Sequence, residues 1–126
     1  MLRARILTLF LVLVALSPCM SAAAKSKKVK LKGHLVDVAC SIEQKDDLDY
    51  MRKEHSKSCF LMPACVKSGY AILTADDQVI RFDAAGNKLA LALIERTNKD
   101  KDWRISIQGK QDGDTVTVTR LTLEKN

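Results

Sequence analysis

The chain has 126 residues, 47% apolar and 29% charged, with 21 basic against 15 acidic side chains and four cysteines. That length accommodates one domain, and the composition excludes a collagen, a long coiled coil, an acidic disordered tail and a bundle of transmembrane helices. The apolar share is front-loaded, because 18 of the first 24 residues are apolar while the other 102 hold 41 apolar and 34 charged residues.

Arg3 and Arg5 precede an uncharged apolar run from Ile6 to Leu16, and Met20-Ser21-Ala22-Ala23-Ala24 follows with small side chains. A cationic start, a short apolar stretch and small residues at −3 and −1 are the pattern of an export signal cleaved after Ala24. The run is too short to span a bilayer comfortably. Cys19 follows Pro18, an unfavourable context for lipidation. The expected product is an exported, periplasmic or secreted chain that starts at Lys25, keeps Cys40, Cys59 and Cys65, and carries a net charge of +4. Disulfides persist in such compartments, and an odd number of cysteines leaves one sulfur over.

Residues 25–32 contain Lys25, Lys27, Lys28, Lys30 and Lys32. Such a run could touch anionic lipid headgroups or cell-wall polymers; the simpler expectation is a solvated basic leader merging into a strand whose lysines discourage edge pairing. Val29 to Ala39 alternates and is rich in Val and Leu, which predicts a strand with a bend or bulge at Gly33. From Asp46 to Ser58, Leu48, Met51, His55 and Cys59 recur at helical spacing, which predicts one amphipathic helix capped by Asp46 or Asp47. Pro63 and Gly69 bracket a second short helix. Tyr70–Thr74 and Gln78–Phe82 read as a hairpin. Ala84–Thr97 reads as a helix whose wide apolar surface implies burial on more than one side. Trp103, Ile105 and Ile107 alternate with polar residues in a half-buried strand, and Asp112-Gly113 turns the chain into a last strand from Thr115 to Leu123.

The order β, short helices, β, β, α, β, β predicts a mainly β fold. It is that of a small five-stranded Greek-key barrel of the oligonucleotide/oligosaccharide-binding (OB) type, with a helical insertion between strands 1 and 2 and a helix between strands 3 and 4. Residues 33–126 form its single domain.

The insertion carries the chemistry. Cys40 closes the first strand, and His55, Cys59 and Cys65 follow as H-x3-C-x5-C. On one continuous helix His55 and Cys59 would stand on the same face. Two of the three cysteines joined as a disulfide, with His55 packed on the buried helix face, would pin the insertion to the first strand, and this is the leading expectation. The alternative is a Cys3His site for zinc or, with Met51 and Met62 nearby, for soft Cu(I). A third reading makes Cys59 a thiolate activated by His55, but neither C-x-x-C nor an orienting Asn or Asp at a recognisable spacing accompanies it. Asp37 is expected to cap the start of the insertion or to stand behind a metal ligand. His34, six residues before Cys40 along a strand, lies too far off to share an ion with it.

Phosphate-cradling glycine loops, the G-x-S-x-G elbow, C-x-x-C-H and calcium-hand patterns are absent, so no residue is assigned a catalytic role and the leaning is toward a non-enzymatic module. With aromatics restricted to Tyr50, Phe60, Tyr70, Phe82 and Trp103 after the signal, several of them expected in the core, nucleic acid is disfavoured. An anionic glycan or other envelope component, a peptide or a protein is the better class of partner. The mature chain is expected to contain no transmembrane segment.

The runs from Gly33 to Cys40, from His55 to Cys59 and from Met62 to Tyr70, followed by Asp112 to Thr115, resemble an uncharacterised family of small exported bacterial proteins. That family has a G-x-h-x-D-x-x-C…H…C…C…G layout (h, hydrophobic) and an OB-like domain. The resemblance spans about Lys32 to Leu123. It implies that Asp37, Cys40, His55, Cys59 and Cys65 form one constellation, and it supplies no activity.

Overall fold

A computed structural model describes residues 25–125, so the expected signal peptide, its cleavage after Ala24 and Cys19 all lie outside the described residues. Five strands close a barrel in the order β1-β2-β3-β5-β4, as expected for the OB-like arrangement. β1 spans Lys27–Asp37, β2 Tyr70–Leu73, β3 Val79–Phe82, β4 Arg104–Asp112 and β5 Thr115–Leu123. β1 is long enough to serve two neighbours: Lys27–His34 pairs antiparallel with β4, and His34–Asp37 pairs antiparallel with β2. A short parallel contact, Arg81 with Thr115 and Phe82 with Val116, joins β3 to β5. Among the described residues no helix is long and apolar enough to cross a membrane.

Residues 27–32 are therefore the first half of β1 and not a leader. The lysines alternate with Val29 and Leu31, which pack against the barrel core while Lys28, Lys30 and Lys32 stay exposed. Gly33 is neither a bend nor a bulge, since β1 runs through it in unbroken register with β4. Its missing side chain permits close approach instead, because a Cβ there would sit 2.3 Å from the Leu73 carbonyl oxygen. The register shift falls on the other partner, between Gln108 and Gly109 of β4 opposite β5.

The insertion consists of four short helices, α1 Val38–Glu43, α2 Leu48–Lys53, α3 Lys57–Phe60 and α4 Pro63–Ser68. The single helix expected over Asp46–Ser58 is broken, because Ser56 has extended backbone geometry and caps α3, its hydroxyl accepting from the Cys59 amide. Such a side chain offers the backbone an alternative to continuing the helix. Asp47 caps α2, while Pro63 opens α4 and Gly69 ends it at φ 84°, where an L side chain would be strained.

After β3, the chain forms α5, Ala84–Arg96, capped by Asp83, whose Oδ1 accepts from the Gly86 and Val118 amides and so ties the helix to β5. Only one face of α5 is buried, through Gly86, Ala90, Leu93 and Ile94; Leu89 is exposed. The expectation of burial on more than one side fails because the small barrel offers a single surface to this helix. The main core joins Leu35, Ile72, Phe82, Ile94, Ile105 and Val116 with an aromatic group of Phe60, Tyr70 and Trp103. Phe60 comes from the insertion, and its ring meets Tyr70 and Trp103 edge-on at 6.1 and 5.7 Å. The Tyr70 hydroxyl donates to the Phe60 carbonyl at 2.8 Å, so the insertion is anchored by both apolar and polar contact. A second cluster of Val36, Val38, Met51, Ala71 and Leu73 fills the space beneath α1 and α2.

Candidate functional site

The barrel register brings the two ends of the insertion together. Asp37, the last residue of β1, pairs with Tyr70, the first residue of β2. The Val38 amide donates to the Gly69 carbonyl at 2.9 Å, and the Ala39 amide to the Ser68 hydroxyl oxygen at 3.1 Å. Cys40 stands just past one side of this neck and Cys65 just before the other. Their sulfurs are 3.9 Å apart although 25 positions separate them in the chain.

Asp37 lies under the neck with no solvent exposure. One carboxylate oxygen accepts the Cys40 amide at 2.8 Å, capping α1, and the other accepts from His55 Nε2 at 2.6 Å. An ionised carboxylate is acceptor-only, so the His55 proton sits on Nε2. His55 is 3% exposed and its ring meets Phe60 edge-on at 4.4 Å. The break between α2 and α3 makes this possible, because it releases His55 from a helix face and turns it inward.

Burial opposes ionisation of Asp37, but the hydrogen bonds from His55 and the Cys40 amide outweigh it and hold the carboxyl below its usual range. The neighbouring thiols move the other way. Burial first, and then the negative charge of Asp37, pushes both Cys40 and Cys65 well toward the protonated form. That direction is opposite to the one that activates a cysteine nucleophile. A carboxylate oxygen of Asp37 and the sulfurs of Cys40 and Cys65 all lie within 4.8 Å of one another, a donor set that could also hold a cation.

Of the five residues expected in one constellation, Asp37, Cys40, His55 and Cys65 come together. Cys59 does not join that donor set. It sits on α3, where its sulfur accepts from the Ser56 hydroxyl at 3.3 Å. His55 bonds to Asp37 and not to Cys59, so the expected same-face pairing of His55 with Cys59 is absent and a Cys59 thiolate has no imidazole partner there. Asp37 serves as the cap and as the support of His55 at once. Among the described residues the three cysteines, Cys40, Cys59 and Cys65, are free thiols. Met51 is buried in the second cluster, against which Cys40 packs, whereas Met62 is 53% exposed on the insertion surface. His34 is remote from the thiols, as its strand position required, and donates to Asp102, which also accepts from Arg104.

Two contributors escaped the sequence reading. Ser68 bridges the neck by accepting from Ala39 and donating to the Cys65 carbonyl at 2.8 Å, and nothing in its local pattern signals this. Phe60 supplies the wall behind His55; its place one residue after Cys59 was visible, but its direction depends on the helix break. A comparison with protein-family models, with curated proteins and with solved structures finds no match to this chain.

Proposed function

We propose that this is a small exported binding or structural module, non-enzymatic, in which Cys40 and Cys65 oxidise to a disulfide that staples the helical insertion across its neck. The observation that carries the reading is the 3.9 Å approach of those two sulfurs from opposite ends of the insertion, with Cys59 left outside. Bond formation removes one hydrogen from each thiol, the two electrons passing to an oxidant such as molecular oxygen. Closing a loop over a separation of 25 residues would stabilise the fold by about 3.5 kcal/mol in the chain-entropy account. The remaining thiol, Cys59, is the odd sulfur of the exported chain. The resemblance to small exported bacterial proteins and the signal-like first 24 residues support the compartment.

A second reading has one observation in its favour. Two thiolates on a tetrahedral zinc, at about 2.3 Å each, stand about 3.8 Å apart, close to the separation found here. Asp37 would be a third donor, with His55 orienting it as outer partners of metal ligands do. Thiol counts on the denatured mature protein, with and without reductant, alongside metal analysis of the native sample, separate the two. One thiol rising to three, without metal, is expected for the staple. Three thiols in both conditions overturn it, and stoichiometric zinc or copper in that sample establishes the second reading instead.

A further inference from the structure

The outer face of β1 and β4 carries charge that the fold does not use. Residues Lys28, Lys30 and Lys32 alternate with core-packed Val29 and Leu31, so all three point outward on β1. The register sets Lys28 directly opposite Lys110, Lys30 opposite Gln108 and Lys32 opposite Ser106. On the far side of β4, Gln108 faces Arg120 of β5. Between Lys28 and His34 on β1, and between Arg104 and Lys110 on β4, no outward position holds an acid. Among the described residues Lys28, Lys30, Lys110 and Arg120 have no ion pair, and acids border this face at its ends, Glu124 reaching Lys32 and Asp102 holding His34 and Arg104 at one, and Asp112 following Lys110 on the outward row of β4 at the other. Like charges directly opposite each other on neighbouring strands disfavour the sheet. Here Lys28 and Lys110 stand directly opposed, and among the described residues neither is in an ion pair.

The face is also hollowed. A depression of about 550 Å³ opens over the register shift, where Gly109 lets the strands approach, with Lys28, Lys30, Lys110, Gln108 and Thr119 around it. Farther along the same two strands a second depression of about 570 Å³ is bordered by Lys32, His34 and Arg104 together with Arg52, Asp49 and Glu124. Their middle residues on β1, Val29 and Gly33, are four positions apart, roughly 13 Å in extended chain. A ligand that used both would have to be elongated.

We propose that this face binds a linear acidic polysaccharide, whose carboxylates meet the lysines while its hydroxyls meet Gln108, Thr119 and Ser106. The chemistry favours a sugar polymer over the other polyanions. No aromatic side chain stands at the outward positions of these strands, so there is no stacking platform for bases. The large exposed apolar residues are on the helices, Ile42, Tyr50 and Leu89, or in the turn between α3 and α4, Leu61 and Met62, so the face has no apolar anchor to insert among lipids. This inference specifies the partner of the binding module proposed above, and it does not depend on the state of the sulfurs.

The test is binding of polygalacturonate to the mature chain, with neutral dextran, an oligo-dT strand and phosphatidylglycerol vesicles as comparisons. Saturable binding to polygalacturonate that weakens with added salt, and not to dextran, is expected. The double variant K28E/K110E should weaken it tenfold or more, while K67E/K88E, which changes net charge equally at exposed helix positions, should change it less than threefold. Thermal melts check folding, and K28Q/K110Q replaces the reversal if that variant is unfolded. Equal weakening by both double variants, no binding of polygalacturonate, or tighter binding of oligo-dT or vesicles overturns the proposal. The thiol counts described above test the staple separately, so failure here leaves that reading to its own result.

Discussion

Replacing Asp37 with alanine removes a fully buried carboxylate that serves two partners. Loss of the α1 cap, a 2.8 Å bond to the Cys40 amide, costs about 1 kcal/mol. The other oxygen accepts from His55 at 2.6 Å, and His55 is itself only 3% exposed. Its ring N–H would be stranded without water, at about 1–3 kcal/mol. Together these give a loss of about 2–4 kcal/mol, a large share of the ~5–15 kcal/mol available to a typical domain, or a fall of roughly 10–30 °C in Tm for a domain near 100 residues. Asp37→Asn keeps an oxygen for the cap, and its amide can donate to His55 once the imidazole proton moves to Nδ1, so about 1 kcal/mol is expected. Urea unfolding followed by fluorescence of Trp103, the sole tryptophan and 1% exposed, measures both, with reductant and chelator present so that neither a disulfide nor a metal masks the loss. An alanine variant within about 1 kcal/mol of the parent would refute the reasoning, because it would mean that His55 finds another partner at no cost.

Gly33→Ala should destabilise by about 1–3 kcal/mol, since the new Cβ would meet the Leu73 carbonyl oxygen at 2.3 Å and push β1 from β2; a urea midpoint equal to the parent's would contradict this. Tyr70→Phe keeps the ring packing but removes the 2.8 Å bond to the Phe60 carbonyl, and about 1 kcal/mol of stability should go with it in the same unfolding assay. Burial lowers the His34 pKa from its ordinary 6.5 by more than the hydrogen bond to Asp102 raises it. The unfolded chain therefore takes up that proton first as pH falls, and stability declines below about pH 6.5. Melting curves across that range should show a shallower decline for His34→Gln, and an unchanged decline would assign the effect elsewhere.

Alternation and punctuation were enough to place most elements. Ile105 and Ile107 alternating with Arg104 and Ser106 marked β4, Pro63 and Gly69 bounded α4, and Asp47 stood where a cap was expected. These signals are legible because the physics behind them is local: a pleat puts successive side chains on opposite faces, and a carboxylate three residues before a free amide can cap it. Helical spacing misled between Asp46 and Ser58. Leu48, Met51, His55 and Cys59 do repeat with the right period, but Ser56 caps a new helix there, and the period cannot register the break.

The sequence by itself determined the succession of five strands and the helices between them, the site of the insertion and the residue types available for its chemistry. Tertiary structure decided which of them meet. Asp37 faces Tyr70 only because β1 and β2 pair in that register, and this pairing alone brings Cys40 within 3.9 Å of Cys65 while leaving Cys59 on α3. The lysines of residues 25–32 show the same division. Their number was plain from composition, but the opposition of Lys28 and Lys110 across two strands 82 positions apart arises from a barrel closure that no local pattern encodes.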